Sequence, residues 1–196
     1  MIQANASALL SSETYLEAEK SSAIKHEYIN GQVYAMAGAS DAHVTICANL
    51  TALLRPHLRG QPCRLYPSDM KVRISERDCY YYPDLFVTCD ERDQNSTYFK
   101  EHPRLIIEVL SDSTEAFDRG DKFDDYSAIA TLQEYVLVNQ KQRRIDCFRR
   151  NKQGVWFLVR YRSGDQLVLE SINFRCAVAE VYEDVSFPMQ VVDPPS

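Results

Sequence analysis

The sequence predicts an α/β fold with a mixed central β-sheet, flanked by helices and extended by further strands towards the C-terminus. The first observation is the order of segments, which runs helix, hairpin, helix, three strands, helix and then several strands. The second is a helical segment between two strongly apolar strands, residues 104–110 and 133–140. Because parallel strands require such a crossover, these two strands are expected to be parallel neighbours in one sheet.

Composition places the chain among ordinary globular proteins. Its 196 residues, 45% apolar and 26% charged, predict a single domain over 1–196, with loose termini at 1–10 and 188–196. A net charge of -6 disfavours a protein that coats nucleic acid through bulk positive charge, but it is compatible with a nuclease that has a local basic groove.

The cysteines and the apolar runs bear on the location of the protein. The six cysteines form no CxxC pair and no signal peptide precedes them, which predicts reduced thiols in a cytoplasmic protein. No apolar run approaches the ~20 residues that a membrane span needs, so no membrane partner is expected.

The N-terminal part of the chain carries two helix signals and one hairpin signal. Residues 12–20 form a short, Glu-rich helical pattern. Asn30-Gly31 between two apolar pairs predicts a two-residue type I′ hairpin turn. Ser40-Asp41 begins a second helix, whose apolar residues recur at helical spacing to about Gly60, with Pro56 distorting the last turn.

The middle and the end of the chain are dominated by strand patterns. Strands are predicted at 63–74, at 79–89 with an interruption at Pro83, and at 104–110. The polar segment 90–103 predicts an exposed loop, and 113–131 predicts a third helix with Ser113 or Thr114 near its N-cap. Four further strands are predicted at 133–140, 143–150, 154–161 and 166–172.

Glu108 is the most unusual residue of the predicted sheet. It interrupts RLIIEVL, a strand that is apolar on both faces, where an unpaired carboxylate would cost several kcal/mol. Asp84 follows Pro83 at the entry to another apolar strand, and if the two strands are neighbours, Asp84 and Glu108 converge at one end of the sheet. Two such carboxylates coexist most easily around a divalent cation, for which oxygen ligands favour Mg²⁺ or Mn²⁺, or by sharing a proton.

The third predicted helix adds a candidate lysine. Thr114, Asp118, Lys122 and Tyr126 are each four residues apart and form one stripe along the helix, which begins where the strand of Glu108 ends. Lys122 is therefore expected to point towards the two acids, where it would orient a water molecule or stabilise developing negative charge.

Each candidate also has a purely structural interpretation. Asp84 after a proline is a common turn residue, Glu108 can pair with a basic side chain, and Lys122 can be a solvated charge. His43 can face the site, but surface or core packing is the favoured interpretation. The basic segment 141–152 is either a patch that contacts a nucleic-acid backbone or a solvated hairpin.

The ordered series HEYINGQVY, YPDLFV, LIIEVLSDST, DRGDK with Tyr126, and EYVLVN resembles the Uma-two family of restriction-endonuclease-like proteins, within the PD-(D/E)xK nuclease superfamily. The resemblance spans about Tyr15 to Arg150. It implies a restriction-endonuclease-like core and a metal site formed by Asp84, Glu108 and the backbone carbonyl of Val109. It also implies that Glu27, in the first motif, joins the site directly or through water.

One position departs from the superfamily pattern. The lysine that normally lies two residues after the glutamate is replaced by Leu110. Members of the family that are similar to this chain carry a lysine on the following helix, and Lys122 matches it. The activity implied is Mg²⁺- or Mn²⁺-dependent hydrolysis of phosphodiester bonds in nucleic acid, with DNA as the expected substrate.

Two other functions stay open at this stage. The first is a catalytically inactive protein of the same fold, which acts by binding nucleic acid or a protein partner. The second is a glycosidase with a carboxylate pair, which needs no metal. A homodimer is expected because two-fold dimers are common and would suit the cutting of both strands.

Overall fold

The computed structural model describes residues 9–187, which form three β-sheets and five α-helices. The helices are α1 (Ser12–Glu19), α2 (Asp41–His57), α3 (Glu115–Arg119), α4 (Asp121–Ser127) and α5 (Val178–Val181). The strands are β1 (His26–Ile29), β2 (Gln32–Ala35), β3 (Arg64–Pro67), β4 (Lys71–Ile74), β5 (Cys79–Tyr81), β6 (Leu85–Thr88), β7 (Phe99–Lys100), β8 (Pro103–Leu110), β9 (Glu134–Asn139), β10 (Arg144–Arg150), β11 (Trp156–Arg162), β12 (Gln166–Leu169) and β13 (Phe174–Ala177).

A six-stranded sheet of order β11-β10-β9-β8-β6-β3 forms the centre of the fold. Strands β8 and β9 are parallel and are joined through α3 and α4, whereas the other neighbours in this sheet are antiparallel. The predicted crossover and the mixed α/β fold are therefore confirmed.

Strand β8 separates two apolar cores, as its continuous hydrophobic sequence requires. Leu105, Ile107 and Val109 pack on one face with residues of α2 and α5, whereas Ile106 and Leu110 pack on the other face with residues of α4. Since side chains alternate along a strand, Glu108 lies on the same face as Ile106 and Leu110. This alternation places the carboxylate beneath α4.

A second sheet, of order β2-β1-β5-β4-β7, packs against the face that carries Glu108. The predictions of one continuous strand at 63–74 and of one interrupted strand at 79–89 are wrong, because each segment divides between the two sheets. Ser68, in the left-handed region at φ 44°, lies at the first change of sheet. Pro83, which cannot donate to a ladder, lies at the second.

The local signals near the N-terminus agree with the structure. Asn30 and Gly31 have φ of 47° and 85°, the two positive values that a type I′ turn requires. Helix α2 begins at Asp41, and the hydroxyl of Ser40 accepts a hydrogen bond from the backbone N–H of His43 at 3.2 Å. Pro56 lies within its last turn.

Three predictions on local structure need correction. The predicted helix 113–131 is two short helices that meet at Gly120, where φ is -113° and ψ is -106°. The predicted loop 90–103 contains a short 3₁₀-helix and strand β7, which is parallel to β4. Strand β13 and helix α5 were not predicted; they follow β12 and contribute to the core beside α2.

The prediction that all six cysteines are reduced is wrong for one pair. Cys63 and Cys89 form a disulfide, whereas the thiols of the other four are free. Strands β3 and β6 are antiparallel with Arg64 opposite Thr88, so the next residues along the ladder, Cys63 and Cys89, face each other. Only the pairing of these two strands brings them together.

No helix within residues 9–187 is long and apolar enough to cross a membrane. Of the predicted loose ends at 1–10 and 188–196, residues 1–8 and 188–196 lie outside the described residues. Leu10 is held by a hydrogen bond from its backbone N–H to the carbonyl of Gly31 at 2.9 Å.

Candidate functional site

The pairing of β6 with β8 brings Asp84 and Glu108 together. Leu85 is opposite Ile107, so Asp84, the residue before β6, faces Glu108. The backbone N–H of Asp84 donates to Oε2 of Glu108 at 3.1 Å, and the N–H of Val109 donates to Oδ2 of Asp84 at 2.7 Å. The two acids thus converge at one end of the sheet, as the sequence predicts.

Lys122 of α4 points into the same site, where it meets three carboxylates. Its Nζ lies 3.0 Å from Oε1 of Glu108, 3.3 Å from Oε1 of Glu27 and 3.5 Å from Oδ1 of Asp118. The side chain of Lys122 is only 7% exposed, and those of Glu108 and Asp118 are 5% and 4% exposed. This cluster is therefore a buried charge network and not a surface ion pair.

Glu27 reaches the network from the second sheet. It lies on β1, and its Oε1 also accepts a hydrogen bond from the backbone N–H of Tyr82 at 3.2 Å. Tyr82 and Pro83 form the connection that leads from β5 in one sheet to Asp84 at the start of the other. The site is consequently assembled where the chain passes between the two sheets.

The aromatic side chains under the network complete its hydrogen bonds. The hydroxyl of Tyr126 donates to Oε1 of Glu108 at 3.1 Å, and the hydroxyl of Tyr135 donates to the backbone carbonyl of Asp118 at 2.9 Å. Burial and the nearby charge of Glu108 hold the pKa of both hydroxyls well above the ordinary value for tyrosine. Both phenols therefore remain protonated donors.

The charges in this network do not balance. Burial raises the pKa of Glu108 above its ordinary value, and the nearby acids Asp84 and Asp118 raise it further, although Lys122 acts in the opposite direction. Burial would lower the pKa of Lys122, but the charges of Glu108 and Glu27 hold it well above its ordinary value. One ammonium group thus faces more carboxylates than it can neutralise, and either a proton or a bound cation would reduce the excess negative charge.

His43 lies on the open side of the site. Its Nε2 is 2.9 Å from Oδ1 of Asp84. A ring nitrogen of His43, the Sγ of Cys47 and a carboxylate oxygen of Asp84 all lie within 4.8 Å of one another. Burial acts to lower the pKa of His43, but its hydrogen bond to Asp84 and the negative charge of that carboxylate raise the pKa above the ordinary value. The sequence favoured surface or core packing for His43, whereas the structure places it against Asp84. The i, i+4 spacing of His43 and Cys47 at the start of α2 is the sequence feature that could have indicated this position.

The remaining predictions about site residues have mixed outcomes. The structure brings together Asp84, Glu108, Lys122 and Glu27, and the backbone of Val109 lies beside Asp84. Asp118, Lys122 and Tyr126 meet even though Gly120 divides their helix. Thr114 does not join them, because its hydroxyl bonds to that of Ser111 at 2.9 Å.

The basic segment 141–152 does not form one patch. Arg149 is turned into the fold, where its Nε donates to Oε1 of the fully buried Glu134 at 2.8 Å. Arg150 lies over the ring of Trp156 at the other end of β10 from Arg144. Alternation along the strand and the length of β10 separate residues that are close in sequence.

The donor atoms around Asp84 fit a divalent cation. Carboxylate oxygens suit Mg²⁺ and Mn²⁺, and the imidazole of His43 adds a ligand type that suits transition metals such as Zn²⁺ and Fe²⁺. Asp84 is the most accessible acid of the network, with its side chain 18% exposed. An ion at this position would also reduce the excess negative charge.

The comparisons with known proteins give a consistent result. The family model Uma2, described as "Putative restriction endonuclease", matches residues 12–179. An uncharacterized protein of Synechocystis sp. is 43% identical over 178 residues, which cover 91% of this chain and 94% of that protein. A second uncharacterized protein of the same organism is 35% identical over 152 residues, which cover 76% of this chain and 86% of that protein.

A solved structure resembles the fold. A crystal structure from Anabaena variabilis, described as "a putative nuclease belonging to DUF820", matches with a TM-score of 0.74 and covers 89% of this chain and 98% of that chain. At 12% sequence identity, this match establishes the similarity of the two folds and not of their sites.

Proposed function

The chain belongs to the Uma2 family of restriction-endonuclease-like proteins, and on that premise we propose that it is a metal-dependent endonuclease that hydrolyses phosphodiester bonds of DNA. Mg²⁺ is the expected ion, with Mn²⁺ as the alternative. A cytoplasmic location and a homodimer able to cut both strands belong to the same proposal.

The observation that supports this proposal is the excess of acids over bases in a buried site. Glu27, Glu108 and Asp118 all lie within 3.5 Å of the ammonium group of Lys122. Asp84 lies next to Glu108, to which its backbone N–H donates a hydrogen bond. Unpaired buried carboxylates are costly, so a purely structural network would gain stability if some were replaced by neutral residues. A binding site for a divalent cation explains why the acids are present.

Each residue then has a role in the proposed reaction. Asp84, Glu108 and the carbonyl of Val109 would hold the ion, and His43 would either hold Asp84 in place or bind the ion itself. When bound, such an ion polarises a phosphoryl oxygen and lowers the pKa of an attacking water. Lys122 would orient that water and stabilise negative charge in the transition state, while Glu27 and Tyr126 hold Lys122 and Glu108 in position.

Calorimetric titration of Mn²⁺ and Mg²⁺ is the first test. The native protein is compared with Asp84→Asn and Glu108→Gln, and Asp121→Asn is the matched control because Asp121 is an exposed acid next to Lys122. Binding should be lost in the first two variants and retained in the control. Equal binding in all four proteins would contradict the proposed site.

A cleavage assay separates a nuclease from an inactive binding protein. Supercoiled plasmid and linear duplex DNA are incubated with each variant in Mg²⁺ or Mn²⁺, and EDTA should stop any cleavage. Ion and DNA binding without cleavage in either metal would favour the catalytically inactive alternative. Cleavage that persists in Glu108→Gln would exclude the proposed centre.

A further inference from the structure

Four arginine side chains lie together beside the carboxylate site. Arg119 is at the end of α3, Arg144 is at the start of β10, and Arg160 and Arg162 are near the end of β11. In the register of β10 with β11, Arg160 is opposite Asp146 and Arg162 is opposite Arg144. Directly opposite residues point to the same face of a sheet, so Arg144, Arg160 and Arg162 lie on the face of Asp146. Arg119 reaches the same face through its hydrogen bond to Asp146. These four arginines are here called the arginine cluster.

The acids in the cluster neutralise only part of its charge. Asp146, which is 1% exposed, accepts hydrogen bonds from Nη1 of Arg119 at 2.9 Å and from Nε of Arg160 at 2.8 Å. The Nε of Arg119 donates to Oε1 of Glu115 at 2.9 Å. Four guanidinium groups therefore lie beside Asp146 and Glu115, and a third acid, Asp165, accepts a hydrogen bond from the backbone N–H of Arg162 at 2.7 Å. The arginines still outnumber the acids, in a protein whose net charge is -6.

Two nitrogen atoms of these guanidinium groups lack hydrogen-bond partners. Among residues 9–187, the buried Nη2 of Arg119 and the buried Nε of Arg144 have none. The nearest acid to that Nε is Asp146 at 3.7 Å, which is beyond hydrogen-bond distance. An unsatisfied buried donor costs about 1–3 kcal/mol, and two like charges opposite each other in a ladder are also unfavourable. These two nitrogens are themselves out of reach of an external anion. The repulsion between Arg144, whose side chain is 29% exposed, and the exposed Arg162 would be offset by an anion with several acceptor oxygens, such as a phosphate group.

The arginine cluster and the carboxylate site share one face and one edge of the sheet. Glu108 is beside Leu137, Leu137 is beside Asp146 and Asp146 is beside Arg160, which makes one row across four strands. With strands about 4.8 Å apart, Asp146 is about 10 Å and Arg160 about 14 Å from Glu108 along this row.

The carboxylate site and the arginine cluster also lie at the same end of these strands. Strands β8 and β9 end at Leu110 and Asn139, where β10 begins at Arg144 and β11 ends at Arg162. In a duplex, successive phosphates of one strand rise by about 3.4 Å along the helix axis and also wind around it, so a separation of about 10–14 Å corresponds to roughly two nucleotides.

We propose that the arginine cluster is a second anion-binding site, which holds a backbone phosphate of the DNA roughly two nucleotides from the bond that is cut. This inference rests on the proposed nuclease function, to which it adds the position of the bound strand. Arg144 and Arg162 make the principal contact. Neither donates a hydrogen bond from its side chain within the described residues, although Arg144 lies 3.9 Å from Glu115 and 3.7 Å from Asp146. Arg119 and Arg160 fix Asp146, which holds the cluster in place.

The test compares native protein with Arg162→Gln and with Arg144→Gln/Arg162→Gln. Arg175→Gln is the matched control, since Arg175 is an exposed arginine on the separate β12-β13 sheet. Binding of a fluorescent duplex oligonucleotide is followed by anisotropy over a range of salt concentrations, in EDTA and in Mg²⁺. Thermal unfolding verifies that each variant is folded, and Arg162→Gln changes only an exposed side chain.

The double variant is expected to bind the duplex at least about tenfold more weakly, as removal of a charge-assisted hydrogen bond to phosphate implies. The slope of log K against log salt should become shallower by about one for each phosphate that the variant no longer neutralises. In the cleavage assay KM should rise while kcat and Mn²⁺ binding stay unchanged, because the cluster does not touch the reacting atoms. The control should match the native protein in all of these.

The two proposals can fail separately. A native protein that cuts DNA while both arginine variants bind it normally would overturn the arginine cluster alone. If the native protein never cuts DNA but the arginine variants bind DNA more weakly than it does, the arginine cluster would be supported and the nuclease proposal contradicted. Native protein that binds no duplex in either buffer would overturn the cluster as a DNA site, and the calorimetric titration would still decide the metal site.

Discussion

Replacing Lys122 by methionine removes one positive charge from the buried network and nearly conserves the shape of the side chain. In the native protein Nζ lies within 3.5 Å of carboxylate oxygens from Glu108, Glu27 and Asp118. The substitution leaves these three buried acids without their common partner. The folded state must then protonate some of them or hold them as unpaired charges.

The expected cost follows from the burial of the network. Breaking a buried ion pair by removing one partner typically costs about 3–5 kcal/mol. The lower half of that range is expected at neutral pH, because the raised pKa of Glu108 allows this acid to take up a proton. For a protein of this length, about 3 kcal/mol corresponds to a decrease of roughly 10 °C in Tm.

Urea denaturation in EDTA at pH 7, followed by circular dichroism, measures this cost. Lys152→Met is the matched control: Lys152 is exposed in the turn after β10, and its substitution should change the free energy of unfolding by less than about 0.5 kcal/mol. The double variant Lys122→Met/Glu108→Gln should be less destabilised than the sum of its single variants. A Lys122→Met protein as stable as the control would refute the buried network.

Four further outcomes are expected. Burial raises the pKa of Glu108 from 4.5 to about 8. Between these pH values the folded, metal-free protein binds more protons than the unfolded chain, so its stability should fall as pH rises through that window. Urea denaturation of Glu108→Gln should lack this fall in stability, and a pH profile identical to that of the native protein would contradict the raised pKa. Metal binding to the same acid should release a proton, and Mn²⁺ affinity measured by calorimetry should therefore increase up to about pH 8. His43→Ala should weaken Mn²⁺ binding about 10- to 100-fold, whereas unchanged affinity would leave His43 with packing alone. Reduction of the disulfide, which joins residues 26 apart, should lower the free energy of unfolding by about 3 kcal/mol. The stability of Cys63→Ser/Cys89→Ser should not change when dithiothreitol is added. Six reactive thiols in the unfolded, unreduced protein would exclude the bond.

Arg149 offers a contrast between a structural and a functional arginine. Arg149→Met leaves the fully buried Glu134 without its partner and should cost about 3–5 kcal/mol in urea denaturation. Mn²⁺ affinity should be unchanged, since this ion pair is separate from the carboxylate site. If Arg149→Met instead binds DNA more weakly and is as stable as the native protein, Arg149 belongs to a surface that contacts nucleic acid.

Local sequence signals determined much of the fold. Asn30-Gly31 specified its hairpin because few residues tolerate two positive φ angles in succession. The crossover between β8 and β9 was predictable because two continuous apolar strands must both be buried, which an intervening helix allows. The candidate acids Asp84 and Glu108 stood out because carboxylates are rare beside such strands.

Only the tertiary structure decided how distant segments meet. The segments 63–74 and 79–89 read as strands locally, but a change of sheet at Ser68 and Pro83 depends on which neighbours each half finds. Strand register placed Cys63 against Cys89 and set Arg162 opposite Arg144, although nothing in their sequence spacing links them.

The tertiary structure also decided which charged residues contact one another. His43 meets Asp84 across 41 positions of the chain, and Lys122 meets Glu27 from the other sheet. Periodicity reports which face of an element a side chain occupies, so it marked Glu108 and Lys122 as unusual. It contains no information on what lies against that face, because burial, partner and pKa are properties of the packed neighbours and arise only when the sheets and helices assemble.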